Sequence, residues 1–372
     1  MYDQQIREDV LYLVFYGAAA MLSLVACCYL LFRRSNAINP SVTSSVRLRR
    51  WTAAFFASMT WSHIWYMPEF YLSSSEDVML VNLVGATLDF ATIVPFGIVM
   101  LFSMLQDHSR PVWPAFAMVA PIVVIMILCV TTCSTSLLPI VYVYYLLLGI
   151  GLLIYMVREV RQYGRWLRDN YADLEHKEVW ESFVVLAVIL LFFGTYTLDS
   201  HGHVFKYITQ LNVIILVGFL LWRVETLSEL ANIPIEVVDR KSLSVGMDEG
   251  VHSQTIPYKI GPLLQKHCID TQLYLQHDLT AVQLARAIGT NRFYLSQYFS
   301  HQGITYNAYI NNLRIEHFKN LYHKNVAAQK SFTAQQLSQE CGFHSYRTFS
   351  NAFKQQMGQT VTAWMKTESE VS

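Results

Sequence analysis

Two short runs near the C-terminal end carry side chains suited to reading hydrogen-bond patterns on the edges of bases. The first offers Asn291, Arg292, Phe293, Ser296 and Gln297, and the second offers Ser345, Tyr346, Arg347, Ser350 and Asn351, with His344 just before it. A guanidinium fork such as that of Arg347 matches the paired acceptors O6 and N7 of guanine, while the amides of Gln297 and Asn351 suit adenine. Arg314, Lys319 and Lys354 are better suited to phosphate, which positions a duplex without specifying its sequence. A solvated polar face would account for any one of these residues. It does not account for the two runs together, because they belong to a repeat.

The elements that must hold these side chains recur at a spacing of 53 to 54 residues. Thr280-Ala281-Val282-Gln283 and Thr333-Ala334-Gln335-Gln336 are both Thr-x-x-Gln capping boxes, which satisfy free N–H groups at a helix start. Leu284 and Ile288 answer to Leu337 and Cys341, and Gly289 and Gly342 supply the tight turn into the next helix. That helix buries Leu295 and Phe299 in the first copy and Phe349 and Phe353 in the second, each pair spaced i, i+4 on one face. The endings Gly303…Tyr309 and Gly358…Trp364 also correspond. The two helix-turn-helix units are expected over residues 280–301 and 333–355.

From about Ile260 to Lys366 the chain resembles the AraC/XylS family of bacterial transcription regulators. Leu279-Thr280…Leu284-Ala285…Ile288-Gly289 with Leu295…Phe299 is similar to that family's first motif, and Gly342-Phe343…Phe349…Phe353-Lys354…Gly358 to its second. Val361 stands where the family usually has proline, and Cys341 replaces a common Val or Leu. The resemblance implies two helix-turn-helix units joined by a long helix, here about Tyr306–Tyr322. It also implies recognition helices in successive major-groove segments, and action as dimers or on paired sites.

The first part of the chain belongs to another solvent. Apolar residues make up 53% of the sequence and charged residues only 15%, far below the quarter usual in soluble domains. Seven apolar stretches are expected to form spans: Val10–Phe32, Trp51–Leu72, Met79–Leu105, Val112–Val130, Leu137–Val157, 179–198 and Val204–Trp222. Twelve Lys/Arg lie in or beside one set of loops, among them Arg33, Arg34, Arg47, Arg49, Arg50, Arg158, Arg161, Arg165, Arg168 and Lys177. The alternate set holds only Arg7 and Lys206. The positive-inside rule then puts the N-terminus outside and the C-terminus in the cytoplasm of a bacterial inner membrane. Asp3, Glu8 and Asp9 precede the first span where a signal peptide would be positive, so it reads as a retained anchor. The net charge of zero conceals an asymmetry: from Lys259 onward there are eleven Lys/Arg against six Asp/Glu, net +5. That suits a polyanionic partner.

His63, Glu69, Asp89, Asp199, His201 and His203 are the unusual ionisable residues of the apolar part. Such groups normally face a partner or a wet cavity. Two readings stand: an outward-facing sensing pocket walled by Trp61, Trp65, Tyr66 and Tyr196, or ordinary interhelical hydrogen bonds with aromatic anchors. His201-Gly202-His203 fixes no third ligand, and the six cysteines show no zinc or disulfide spacing, so neither a metal nor a cofactor is expected. Cys129 and Cys133 read as packing residues.

The expected architecture is all-α: a seven-helix transmembrane bundle (1–222), a juxtamembrane helix over Arg223–Leu230 with a linker (223–258), and a cytoplasmic AraC-type DNA-binding domain (259–368). The expected function is membrane-anchored, sequence-specific transcription control. Its partners would be double-stranded DNA, the lipid bilayer, a second copy or paired sites on DNA, and RNA polymerase. A transporter or receptor with a regulatory DNA-binding tail is the alternative, although the spans show no convincing internal repeat. No Gly-x-Ser-x-Gly or His-Glu-x-x-His motif points to an enzyme.

Overall fold

The computed structural model describes residues 2–40, 42–197, 203–230 and 256–371. The chain forms two compact units, one of residues Met1–Tyr163 and Val179–Leu230, the other of Gly164–Glu178 and Ala231–Ser372. Both are helical, and among the described residues there is no strand, only an isolated bridge between Tyr171 and Thr280.

The first unit is built from α1 (Tyr2–Phe32), α2 (Val46–Trp65), α3 (Ser75–Ser103), α4 (Trp113–Thr131), α5 (Leu138–Asn170), α6 (Trp180–Thr197) and α7 (His203–Thr226), the last turns of α5 belonging to the second unit. Consecutive helices pack from α1 to α4, and α7 closes back on α1 and α2. Five of the seven are long and apolar enough to cross a membrane: α1 from Val10, α3, α4, α5 and α7 from Lys206. Among the described residues, five of the seven expected spans therefore have a helix of membrane-crossing length and composition. α2 opens on Arg47, Arg49 and Arg50, carries Ser58, Thr60, Ser62 and His63, and ends at Trp65, ahead of a separate 3-10 turn over Met67–Phe70 that holds Pro68. α6 has only 18 residues, and its side chains beyond Val188 are outside the described set.

Burial separates these helices from those of a water-soluble core. Only 11% of the most apolar window of α5 is buried, so Leu146, Leu147, Leu153 and Ile154 face outward. Soluble proteins rarely expose a contiguous apolar surface of this size. α5 also runs thirteen residues past its expected end at Val157, so Arg158, Arg161, Arg165 and Arg168 ride on a helix rather than a loop.

α7 ends at Thr226, so the expected helical continuation to Leu230 is not formed. At this end other side chains take the last carbonyls, Ser44 Oγ donating to Val224 O at 2.6 Å and Asn36 Nδ2 to Glu225 O at 3.0 Å. Glu225 accepts from the amides of Ala37 and Ile38 at 2.9 and 2.8 Å and from the Tyr29 hydroxyl, with Arg49 4.0 Å away. The chain beyond it is tied down by Glu229 N to Thr43 O (2.6 Å) and by Gln106, which bonds Ser228 O and Leu230 N at 3.0 and 2.9 Å. The expected linker falls largely on residues 231–255, outside the described residues.

The second unit contains α8 (Ile256–Leu264), α9 (Ala281–Ala287), α10 (Arg292–His301), α11 (Tyr306–Ala327), α12 (Ala334–Glu340), α13 (Tyr346–Met357) and α14 (Val361–Val371). Its apolar residues form two cores. Leu264, Cys268, Leu284, Leu295, Phe299, Tyr306 and Ile310 belong to the first, and Ile315, Phe318, Leu337, Phe349, Phe353 and Trp364 to the second. α11 enters both, so it joins two lobes as the helix expected from about Tyr306 to Tyr322 does. Burial pushes the Cys268 and Cys341 thiols up to about 11 and about 12, which keeps both protonated as packing groups.

Candidate DNA-binding surface

Each lobe presents a short helix, a turn and a second helix. Thr280 and Gln283 form a reciprocal capping box at the start of α9, with bonds of 3.2 and 2.8 Å, and Thr333 and Gln336 repeat it on α12 at 3.1 and 3.0 Å. Gly289 and Gly342 then take φ of 72° and 84°, in the left-handed region that other residues avoid. Asn291 and Ser345 cap the second helices, accepting from Tyr294 N and Thr348 N. Their side-chain oxygens are thus already engaged. Both residues serve first as helix caps, although each was read from sequence as a base contact.

Helix geometry sorts the remaining candidates. With Leu295 and Phe299 buried, Phe293 (65% exposed) and Ser296 point outward and Gln297 lies at the edge. With Phe349 and Phe353 buried, Arg347, Asn351 and Lys354 fall on one exposed face at i, i+4 and i+7, and Ser350 is half-buried. Tyr346 packs against Phe349, with ring centroids 5.9 Å apart, so much of its ring belongs to the second core. Lys319 is partly buried and paired with Glu316 at 3.1 Å.

Arg314 is a correction. It is fully buried, with 0% exposure, so it cannot meet phosphate. Its guanidinium donates to Tyr274 O and Gln276 O, both at 2.7 Å, and lies over the Phe343 ring at 5.4 Å. Burial lowers its pKa from the ordinary arginine value. The residue braces the 274–276 stretch of lobe one against Phe343 of lobe two. His277 Nδ1, 3.1 Å from Gly342 O, lies in the same seam.

The surface also has an occupant that sequence reasoning missed. Residues 164–178, in the loop read as purely connecting, belong to this unit. Ala172 is 1% exposed within the first core, and its amide donates to Leu279 O at 3.2 Å. Asn307 Nδ2 donates to Tyr171 O and Ala172 O at 3.2 and 2.7 Å. Lys177 pairs with Asp278 at 2.9 Å, and Thr348 on α13 donates to Glu175 at 3.1 Å. Burial raises the Asp278 pKa, but the Lys177 bond outweighs it and holds the carboxyl below its usual value. Arg292, the first residue of α10, is half-buried, and burial lowers its pKa against the opposing pull of the Asp169 charge. The sequence signal was faint: an acidic run, Asp169 to Glu178, directly after four arginines.

In the first unit, three of the six expected pocket residues come together. His63 is 8% exposed, with Nε2 3.0 Å from Gln210 Oε1 on α7 and Nδ1 2.7 Å from Met59 O. Asp89 accepts from Trp65 Nε1 at 3.2 Å, and Glu69 lies 3.9 Å from Lys206. These bonds join α2 to α3 and α7, as the interhelical reading requires. Asp199 and His201 lie outside the described residues, and His203 opens α7 with no side chain described. A cavity of 220 Å³ lies elsewhere, lined only by apolar residues of α3 and α4 from Ala91 to Val124. Among the described residues no three His, Cys, Asp or Glu side chains gather as metal ligands.

No curated protein and no solved structure gives a significant match to the chain. Residues 284–367 match a family model described as a helix-turn-helix domain, which covers most of both lobes. Residues 284–367 thus carry a helix-turn-helix domain, in agreement with the two capped helix pairs described above.

Proposed function

We propose that the chain is a membrane-anchored, sequence-specific transcription regulator rather than an enzyme, with a bacterial inner-membrane anchor and its two-lobed reader in the cytoplasm. The carrying observation is the doubled, capped helix-turn-helix on a chain that also holds five apolar helices of membrane-crossing length. The exposed apolar faces of those helices and the arginines gathered at one set of helix ends and connections support the placement. Arg347, Asn351, Ser350, Ser296, Gln297 and Phe293 are the base readers, with Lys354 on phosphate. Arg292, half-buried at the first position of α10, stands beside them. A change among the membrane helices is the input, in which the polar cluster of His63, Asp89 and Glu69 takes part. Double-stranded DNA is the partner, engaged by two copies or at paired sites, with RNA polymerase recruited beside it.

The test is genome-wide mapping of DNA bound by the full-length protein in its source cells, beside the Arg347→Ala variant. Discrete sites sharing one sequence, lost in the variant while general DNA affinity persists, are the expected result. Binding without any shared sequence in the wild type would overturn the reading. Recovery of the protein outside the membrane fraction would overturn the anchor.

A further inference from the structure

The 164–178 stretch leads from α5 toward α6 in sequence, yet it packs as part of lobe one. Tyr171, Ala172 and Asp173 are 4%, 1% and 2% exposed, and Ala172 shares the first core with Leu284, Leu295 and Phe299. Its bonds fall on the frame that carries the first helix-turn-helix. The Ala172 amide donates to Leu279 O at 3.2 Å, and Tyr171 forms an antiparallel bridge with Thr280, the cap of α9. Asn307, in the first turn of α11, donates to Tyr171 O and Ala172 O. Lys177 holds the Asp278 carboxylate at 2.9 Å, and Asp278 itself has φ of 53°, in the left-handed region. In lobe two the stretch meets the Thr348 hydroxyl through Glu175.

We infer that the 164–178 stretch is a structural part of the first DNA reader and its regulatory input: lobe one reads DNA only with the stretch docked, so a membrane-side change that withdraws it weakens binding. The inference rests on the DNA-reading proposed above.

The direction follows from what the docked stretch supports. It secures the residues on which α9 begins and fills the core against which Leu295 and Phe299 of α10 pack. Without it, the place of Ala172 becomes a gap among apolar side chains, and Asn307 loses two acceptors. Withdrawal therefore loosens the first recognition helix. The stretch is also continuous with the apolar helices. α5 is one helix from Leu138 to Asn170, ending directly before Tyr171, and α6 begins at Trp180. A conformational preference of either helix biases docking through the chain itself, and DNA, by binding the docked form, biases it in return.

The test uses the full-length protein in detergent. A randomised duplex pool is enriched on the wild type, and the enriched duplex is the probe for Ala172→Asp and for the double variant Lys177→Ala/Asn307→Ala. Ala172→Asp puts a carboxylate into the apolar core and should undock the stretch. About tenfold weaker binding is expected, as for about one molecule in ten left docked. Hydrogen exchange should quicken over 279–299 and change less over 349–357. The double variant removes an ion pair and two hydrogen bonds without burying charge, so it carries the test if Ala172→Asp does not fold. Its binding should be about threefold weaker. In the wild type, added duplex should slow exchange at 171–174, because it binds the docked form. Wild-type affinity in either variant, once thermal unfolding shows it folded, overturns the inference alone. So does faster exchange at 171–174 on adding duplex. If the wild type enriches no sequence, the DNA-reading itself falls, and the inference with it.

Discussion

The two helix-turn-helix copies start alike and then diverge, and the divergence lies in the turn and in how each core is closed. Their capping boxes are nearly superimposable in chemistry. At the turn, a Cβ added to Gly289 would meet open space, whereas one on Gly342 would lie 2.4 Å from Leu275 O. The second turn is therefore also a joint between lobes. The cores differ as well. Lobe one borrows Ala172 from the 164–178 segment, while lobe two is closed by its own rings, with Phe318 and Phe349 centroids 4.6 Å apart and Trp364 stacked nearby. Among the described residues, lobe two takes from the 164–178 segment only the hydrogen bond between Thr348 and Glu175, whereas lobe one takes Ala172 into its core.

The strongest way to break this comparison is at the seam. Arg314→Met should cost about 3 kcal/mol in thermal unfolding, because two buried carbonyls lose charge-assisted bonds. A loss below about 0.5 kcal/mol would deny it the role of brace. Next comes the pair of turns. Gly342→Ala should destabilise by about 2–3 kcal/mol and Gly289→Ala by about 1, since both pay for positive φ but only the former collides with backbone. Equal losses would mean that the Leu275 approach relaxes freely. Arg347→Ala should remove about 1–3 kcal/mol of discrimination at one base position, measured by competition between duplexes. Arg292→Ala should cost less, because the wild-type side chain is already half-buried at the start of α10. The reverse order would make lobe one the dominant reader.

The smallest effect is in pH. Burial lowers the His317 pKa below its ordinary 6.5, so the folded domain binds that proton less well than the unfolded chain does. Its contribution is complete above pH 6.5 and is lost as pH falls from there toward the folded value. His317→Gln should flatten that part of the stability profile. An unchanged slope would assign it to other groups.

Much of this arrangement could be read from local patterns. The Thr-x-x-Gln boxes give the starts of α9 and α12 to the residue, because capping is a contact within four positions. The apolar stretches give the helices of the first unit, though not their ends, since α5 continues through arginines that are good helix formers. What escaped was long-range. Arg314 looked exposed because it is charged, yet it shares a face with Ile310 and Phe318 at i−4 and i+4, and that stripe was the available warning. Nothing local marks Ala172 or Glu175 as partners of residues more than a hundred positions away. Likewise, the bonds from Ser44 and Asn36 to the last carbonyls of α7 join residues about 180 positions apart, which no local pattern marks.

One feature of α11 sets a limit on how such a reader can evolve. Tyr306 and Ile310 anchor it in one lobe, and Ile315, Phe318 and Tyr322 anchor it in the other, on a single unbroken rod. Adding or deleting one residue between Ile310 and Ile315 would turn the lobes by about 100° and move them about 1.5 Å relative to each other. Changes at the exposed faces of α10 and α13 alter which letters are recognised, but the interval between the two words is kept by the helical repeat of α11. New target sequences are open to point substitution; new target spacings are not.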